Sequence, residues 1–196
     1  MQSLLPLAMF AFVLSITPGP NNIMLTSSGI VFGFVRSIPH ILGISVGGGI
    51  LLVLCAAGIG SLILALPSAH LMLKVIGSSY LVYLAWQLRR MTFKQAAVEQ
   101  GTPMPFWGAV LFQFVNPKVW MMGITGAAAF LPAMQPVWLA IGIFTLVFCA
   151  VNLPCISLWA CIGATLRRYL TQALWQNLFK TLMILATLYS ALAVWL

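Results

Sequence analysis

The stretch Ser15-Ile16-Thr17-Pro18-Gly19-Pro20-Asn21-Asn22 cuts through an apolar segment that runs from Leu4 to Leu25. Proline has no N–H to donate and leaves the carbonyl four residues earlier without its helical partner, so Pro18 and Pro20 interrupt any helix built on this segment. In hydrocarbon an unpaired backbone group is costly, and unwound backbone at membrane depth survives only where protein covers it or it lines a wet cavity. The interruption therefore makes sense only in a membrane helix whose break faces the inside of a protein.

Composition supports that setting. Of 196 residues, 62% are hydrophobic and 5% charged, with a mean hydropathy of +1.09, a balance that no soluble domain of this size sustains at its surface. Six apolar segments come near or above the ~20 residues that a spanning helix needs: Leu4 to Leu25, Ile38 to Leu66, Leu71 to Leu88, Phe106 to Phe130, Val137 to Ala164 and Leu178 to Leu196. The expected fold is an all-α integral membrane protein, a single transmembrane domain over 1–196. No positive n-region precedes the first segment, so it is expected to stay as a helix rather than leave as a signal peptide. The net charge of +8 comes from scattered cations beside the spans, which argues for orientation rather than nucleic-acid binding. Arg36, then Arg89, Arg90 and Lys94, then Arg167 and Arg168 fall in the first, third and fifth connections, while the second and fourth offer only Lys74. By the positive-inside rule both termini face away from the cytoplasm.

The polar linker, Arg89 to Pro105, holds the only acidic residue, Glu99, and divides the chain near its middle. Two three-helix halves are expected, 1–90 and 106–196, joined by a cytoplasmic linker over 91–105. Each half opens with a helix broken at an X-Pro pair, Thr17-Pro18 and Asn116-Pro117, 117 − 18 = 99 residues apart. Three spans is an odd number, so the second half enters the membrane from the opposite side and the halves form an inverted repeat. In the second span Gly43 and Gly47 form a small-xxx-small pair, continued by Gly48, Gly49, Gly58 and Gly60. Such a surface lets backbones approach closely; the alternative is that it leaves room for a ligand. Cys55, Cys149, Cys155 and Cys161 lie within spans and form no CxxC pair, so they read as packing residues rather than metal ligands or disulfides.

The chain has no Asp, and Glu99 belongs to a loop. Metal sites and paired-carboxylate catalysis need acidic or clustered ligands that are missing, and no serine has an evident base. An enzyme, a metal and a cofactor are therefore not expected. His40 and His70 read as interfacial polar residues at span ends, and Tyr80, Tyr83 and Trp86 as anchors of the third span, the alternative being that they line a pathway. Inside the membrane remain one cation and a set of amides. Lys118 follows Asn116-Pro117, and a lysine at bilayer centre costs about 2.5–3.5 kcal/mol on insertion scales. It either snorkels to the interface, lying only twelve residues beyond Phe106, or serves a polar pocket opened by the adjacent proline.

The prolines are expected to free the carbonyls of Leu14, Ile16, Gln113 and Ala150, which suit an ammonium group. The half-helix starting near Asn21 offers exposed N–H groups, which suit a carboxylate. Paired helix breaks of this kind are the sequence mark of a transporter's binding site. The candidate substrate-binding set is Thr17, Pro18, Gly19, Pro20, Asn21, Asn22, Gln113, Asn116, Pro117, Lys118 and Asn152, whose partners suit both ends of a zwitterion. One fixed cation and no fixed anion disfavour a cationic substrate and favour small neutral amino acids.

Four stretches then carry a resemblance: Thr17-Pro18-Gly19-Pro20-Asn21, Gly43-Ile44-Ser45-Val46-Gly47, Gly77-Ser78-Ser79-Tyr80-Leu81-Val82-Tyr83-Leu84-Ala85 and Phe112-Gln113-Phe114-Val115-Asn116-Pro117-Lys118. In this order they resemble the LysE family of amino-acid exporters, in its homoserine/threonine efflux subgroup. The resemblance implies a six-helix protein of the bacterial inner membrane that exports amino acids or their derivatives using the proton-motive force. Many relatives carry an Asp in the fifth span where this chain has Asn152, before Pro154. That departure speaks against carboxylate-based proton coupling and resembles the branch that exports cysteine and O-acetylserine, with threonine or homoserine the next substrates. The expected partners are the substrate, protons and the lipid bilayer; the reading leaves room for a homo-oligomer. A non-transporting membrane subunit or scaffold is the alternative.

Overall fold

The computed structural model describes residues 4–90, 101–167, 173–193 and 195. Among them nine helices form: α1 (Leu5–Ile16), α2 (Pro20–Phe32), α3 (Phe34–Ala56), α4 (Ile59–Ala65), α5 (Pro67–Arg90), α6 (Phe106–Val115), α7 (Pro117–Phe130), α8 (Val137–Leu166) and α9 (Ala173–Ala193). Lys94, Glu99 and most of the expected linker lie outside the described residues, as does Arg168.

Both expected breaks are present. Thr17 and Gly19 are extended, and Pro20 occupies the first turn of α2, where its missing N–H costs nothing. The α1–α2 pair bends by 55° at this point. At the second break Asn116 is extended, Pro117 opens α7, and the Asn116 side chain caps the new helix by accepting from Lys118 N at 3.2 Å. By contrast, Pro39 and Pro154 sit inside continuous helices.

Some boundaries differ from the sequence expectation. The apolar run Ile38 to Leu66 is two helices, because the chain turns at Ala57-Gly58, where Gly58 has φ 103°, a conformation that costs glycine little. A second glycine at φ 81°, Gly33, joins α2 to α3, so the first segment extends to Phe32 and Arg36 lies in the first turns of α3 rather than in a connection. By length and composition α3 and α8 can cross a membrane, and the bent α1–α2 pair makes a third candidate. Residues such as Leu146 in α8, 71% exposed, and Leu185 in α9, 58% exposed, present apolar surface outward, as a lipid-facing protein does.

The two halves interleave. α3 packs against α6, α7 and α8, α2 and α1 both pack along α8, and α5 pairs with α9. Glycines permit the closest approaches: a Cβ on Gly29 would run into the Ala160 carbonyl, one on Gly163 into that of Thr26, and one on Gly43 into that of Phe106. Of the five buried apolar clusters among the described residues, two flank the helix breaks. One joins Leu7, Ala11, Leu52, Met122, Phe144 and Phe148; the other joins Leu25, Ile41, Ile44, Ala109, Ile156 and Ala160.

Candidate functional site

The two breaks meet. Lys118 Nζ, one residue past the second break, donates to Thr17 O at 2.9 Å, Thr17 Oγ1 at 3.0 Å and Pro18 O at 3.3 Å at the first. The ammonium is thus held by the opposite half of the chain. Its path crosses Gly19, where a Cβ would stand 2.8 Å from Lys118 Cδ.

Around this contact the amides are paired across the halves. Asn21 Nδ2 donates to Gln113 Oε1 at 2.8 Å, and Gln113 Nε2 returns a bond to Asn21 Oδ1 at 3.2 Å. Asn152 Nδ2 donates to Ser15 Oγ at 2.9 Å. Asn22 Nδ2 caps the end of α1, donating to Ser15 O at 2.9 Å and Thr17 O at 2.7 Å. Gln113 and Asn116 are buried, so these pairings matter, since an unpaired buried amide is expensive.

The freed carbonyls are not quite those expected. Leu14 O is taken by the Thr17 hydroxyl at 3.0 Å, and Gln113 O by Asn116 N at 3.2 Å. Trp120 Nε1 covers Phe114 O at 2.8 Å. The carbonyls turned towards an ammonium are those of Thr17 and Pro18, because the chain is extended there and the oxygens point sideways rather than along a helix.

A cavity of about 40 Å³ lies between the breaks, enough for a few waters at roughly 10–15 Å³ each and too small for an amino acid in this conformation. Gly19, Pro20, Asn21, Asn22, Gln113, Asn116, Lys118 and Asn152 line it. Thr17, Pro18 and Pro117 instead line a separate groove of about 420 Å³ on the other side of Lys118, with Thr125, Tyr189 and Ser190. The small cavity is closed at one end by Leu14, Leu52, Met122 and Phe148, from or beside the first apolar cluster, and at the other by Ile44 and Ile156 of the second.

Sequence reasoning missed Ser15, Ser45 and Cys149, which also line the cavity. Ser15 was detectable: Leu7, Ala11 and Ser15 recur every four residues and form the buried face of α1. The glycines of α3 divide between the two roles weighed for them. Gly43 and Gly47 press on α6, whereas a Cβ on Gly48 would meet nothing, so Gly48 gives the cavity room. His40, read as interfacial, is instead buried at 1% exposure; the His70 side chain lies outside the described residues. Tyr80 packs against Phe112 with the rings tilted and centroids 4.9 Å apart, and Tyr83 and Trp86 are each 47% exposed.

Residues 12–194 match the family described as LysE type translocator. The chain belongs to the LysE family. Proteins described as cysteine/O-acetylserine efflux proteins from Escherichia coli strain K12, Escherichia coli O139:H28 and Shigella flexneri are each 35% identical to this LysE-family chain over 138 residues, 70% of either sequence. No solved structure matches it. Membership and the outward apolar helices together make it a multi-pass membrane protein of a translocator family.

Proposed function

We propose that this protein exports small neutral amino acids or their derivatives, cysteine and O-acetylserine first and threonine or homoserine next, by alternating access across the bacterial inner membrane. The observation that carries the reading is the contact between Lys118 Nζ and the Thr17 and Pro18 carbonyls across the two helix breaks. A zwitterion is the ligand that can split this contact without orphaning either side. Its carboxylate takes the Lys118 ammonium and the α2 start at Asn21, while its own ammonium takes the two carbonyls left behind. A second positive charge on the substrate would face Lys118 with no carboxylate among the described lining residues, which disfavours lysine or arginine. The relatives named for cysteine and O-acetylserine efflux support this substrate class.

In this reading six spans form two inverted three-helix halves, both termini lie in the periplasm, and the apolar clusters above and below the cavity act as alternate seals. Coupling to protons is part of the proposal and is suggested by the family resemblance alone. The test is uptake of labelled O-acetylserine and cysteine into everted membrane vesicles, with and without a pH gradient. Uptake above that of vesicles lacking the protein, increased by an acidic interior, supports the reading; a non-transporting scaffold would give none.

A further inference from the structure

The groove on the other side of Lys118 is built on two rows of side chains that start at the two breaks. On α7, Lys118, Met121, Met122 and Thr125 recur at the three- and four-residue spacing of one helix face. Phe10, Leu14 and Thr17 do the same along α1 and its end. The rows run antiparallel. Thr17 Oγ1 lies 3.0 Å from Lys118 Nζ at one end, and at the other a Cβ on Gly126, next to Thr125, would stand 3.1 Å from Phe10 Cε1. Leu81 of α5 and Tyr189 and Ser190 of α9 complete the lining, with Tyr189, 69% exposed, at its rim.

At about 420 Å³ the groove falls in the size range of small-molecule sites, as the 40 Å³ cavity does not. Lys118 carries the sole charge among its described lining residues, and Thr17 and Pro18, whose carbonyls the ammonium holds, line it too. Both ends of a zwitterion therefore have partners at its inner end. Further along, Thr125 is exposed, and its hydroxyl has no hydrogen-bond partner among the described residues. The hydroxyls of Thr187 and Ser190 on α9, by contrast, each bond the carbonyl four residues back. A hydroxyl in apolar surroundings gains from a partner. Seven residues of α7, about 10 Å of helix axis, separate Thr125 from Lys118. An amino acid whose carboxylate sits on Lys118 reaches that hydroxyl only with a side chain several atoms long that ends in an acceptor. The acetyl ester of O-acetylserine is such a side chain; the single sulfur of cysteine stops short.

We infer that this groove receives the side chain of the transported amino acid and that Thr125 is a specificity residue, its hydroxyl donating to the ester carbonyl of O-acetylserine. The inference rests on the transport reading above for the identity of its ligand. Thr125 then favours O-acetylserine over cysteine by one hydrogen bond, while Lys118, Thr17 and Pro18 serve both alike.

The experiment measures initial rates of uptake of labelled O-acetylserine and of labelled cysteine into everted vesicles, over a range of concentrations, for the full chain and for Thr125→Val and Thr125→Ser. Thr125→Val removes the hydroxyl and keeps the shape. It should raise the half-saturating concentration for O-acetylserine about fivefold, the scale of a lost bond between uncharged groups, and leave that for cysteine unchanged. Thr125→Ser, which keeps the O–H, should behave as the unaltered chain with both substrates. A half-saturating concentration does not depend on how much protein folds, so lost folding cannot imitate the effect. An equal change for both substrates, the result expected if a lipid chain fills the groove, or no change for either, overturns the inference and leaves the transport reading standing. An unaltered chain that takes up neither substrate defeats the transport reading and the inference with it.

Discussion

Gly19 and Lys118 are complementary: the lysine side chain lies across the bare face of the glycine, and a Cβ at position 19 would stand 2.8 Å from Lys118 Cδ and 2.9 Å from Nζ. The ammonium reaches the Thr17 and Pro18 carbonyls only because nothing is there. Gly19 is extended, with φ −170°, a conformation open to any residue, so its role is space rather than backbone freedom.

Gly19→Ala should therefore impair transport more than folding. The new methyl meets the far end of a flexible side chain, which can swing aside, so stability should fall by less than about 1 kcal/mol. Export should fall at least about tenfold as the charge-assisted bonds are lost. Flux in everted vesicles beside thermal unfolding of the purified protein checks both.

Lys118→Met should abolish export, by about a hundredfold or more, while the amount of protein in the membrane stays the same or rises, since an insertion cost of about 2.5–3.5 kcal/mol is removed. Quantified membrane protein and labelled amino-acid efflux from the same cells give the comparison. Undiminished efflux would strip Lys118 of its assigned role.

Asn21 and Gln113 exchange two hydrogen bonds over 92 residues of sequence. A double-mutant cycle with Asn21→Ala and Gln113→Ala should return a coupling of about 0.6–1.7 kcal/mol, between the average and the maximum found for interhelical bonds in a membrane protein. Reversible unfolding in mixed micelles measures it, and additive single effects would contradict the pairing.

Gly43 and Gly48 lie on one helix and should answer oppositely to alanine. A Cβ on Gly43 would strike the Phe106 carbonyl and come 2.7 Å from Ala109 Cβ, so Gly43→Ala should destabilise by about 1–3 kcal/mol. A Cβ on Gly48 meets nothing within 4 Å, so Gly48→Ala should hold or raise stability through helix propensity while narrowing the cavity and reducing flux. Melting curves and vesicle uptake on the two variants separate packing from room.

How much could be read before the fold was known follows from the range of each cause. Pro18, Pro20 and Pro117 mark breaks through their own ring and missing N–H, a local effect, but the same ring at Pro39 and Pro154 lies inside continuous helices, so the letters show where a break can fall and not that it does. Lys118 stood out because an ammonium in a run of apolar residues needs a partner wherever the chain goes. Ser15 was passed over although its four-residue spacing from Leu7 and Ala11 marks a buried face. His40 was misplaced because nearness to a span end gives depth and says nothing about which side of α3 faces inward.

The sequence by itself determined that the chain is helical, belongs in a lipid bilayer, and carries prolines at the two places where its helices break. These properties are set by hydropathy and by covalent geometry within a few residues. Only the tertiary structure decided that the two breaks face each other, that Thr17 and Pro18 rather than Leu14 or Gln113 present carbonyls to Lys118, and that Asn152 reaches back to Ser15 over 137 residues. Such pairings depend on how α2 and α3 pack against α6, α7 and α8. Contacts between residues a hundred positions apart are chosen by the packing of whole helices, which no local pattern records.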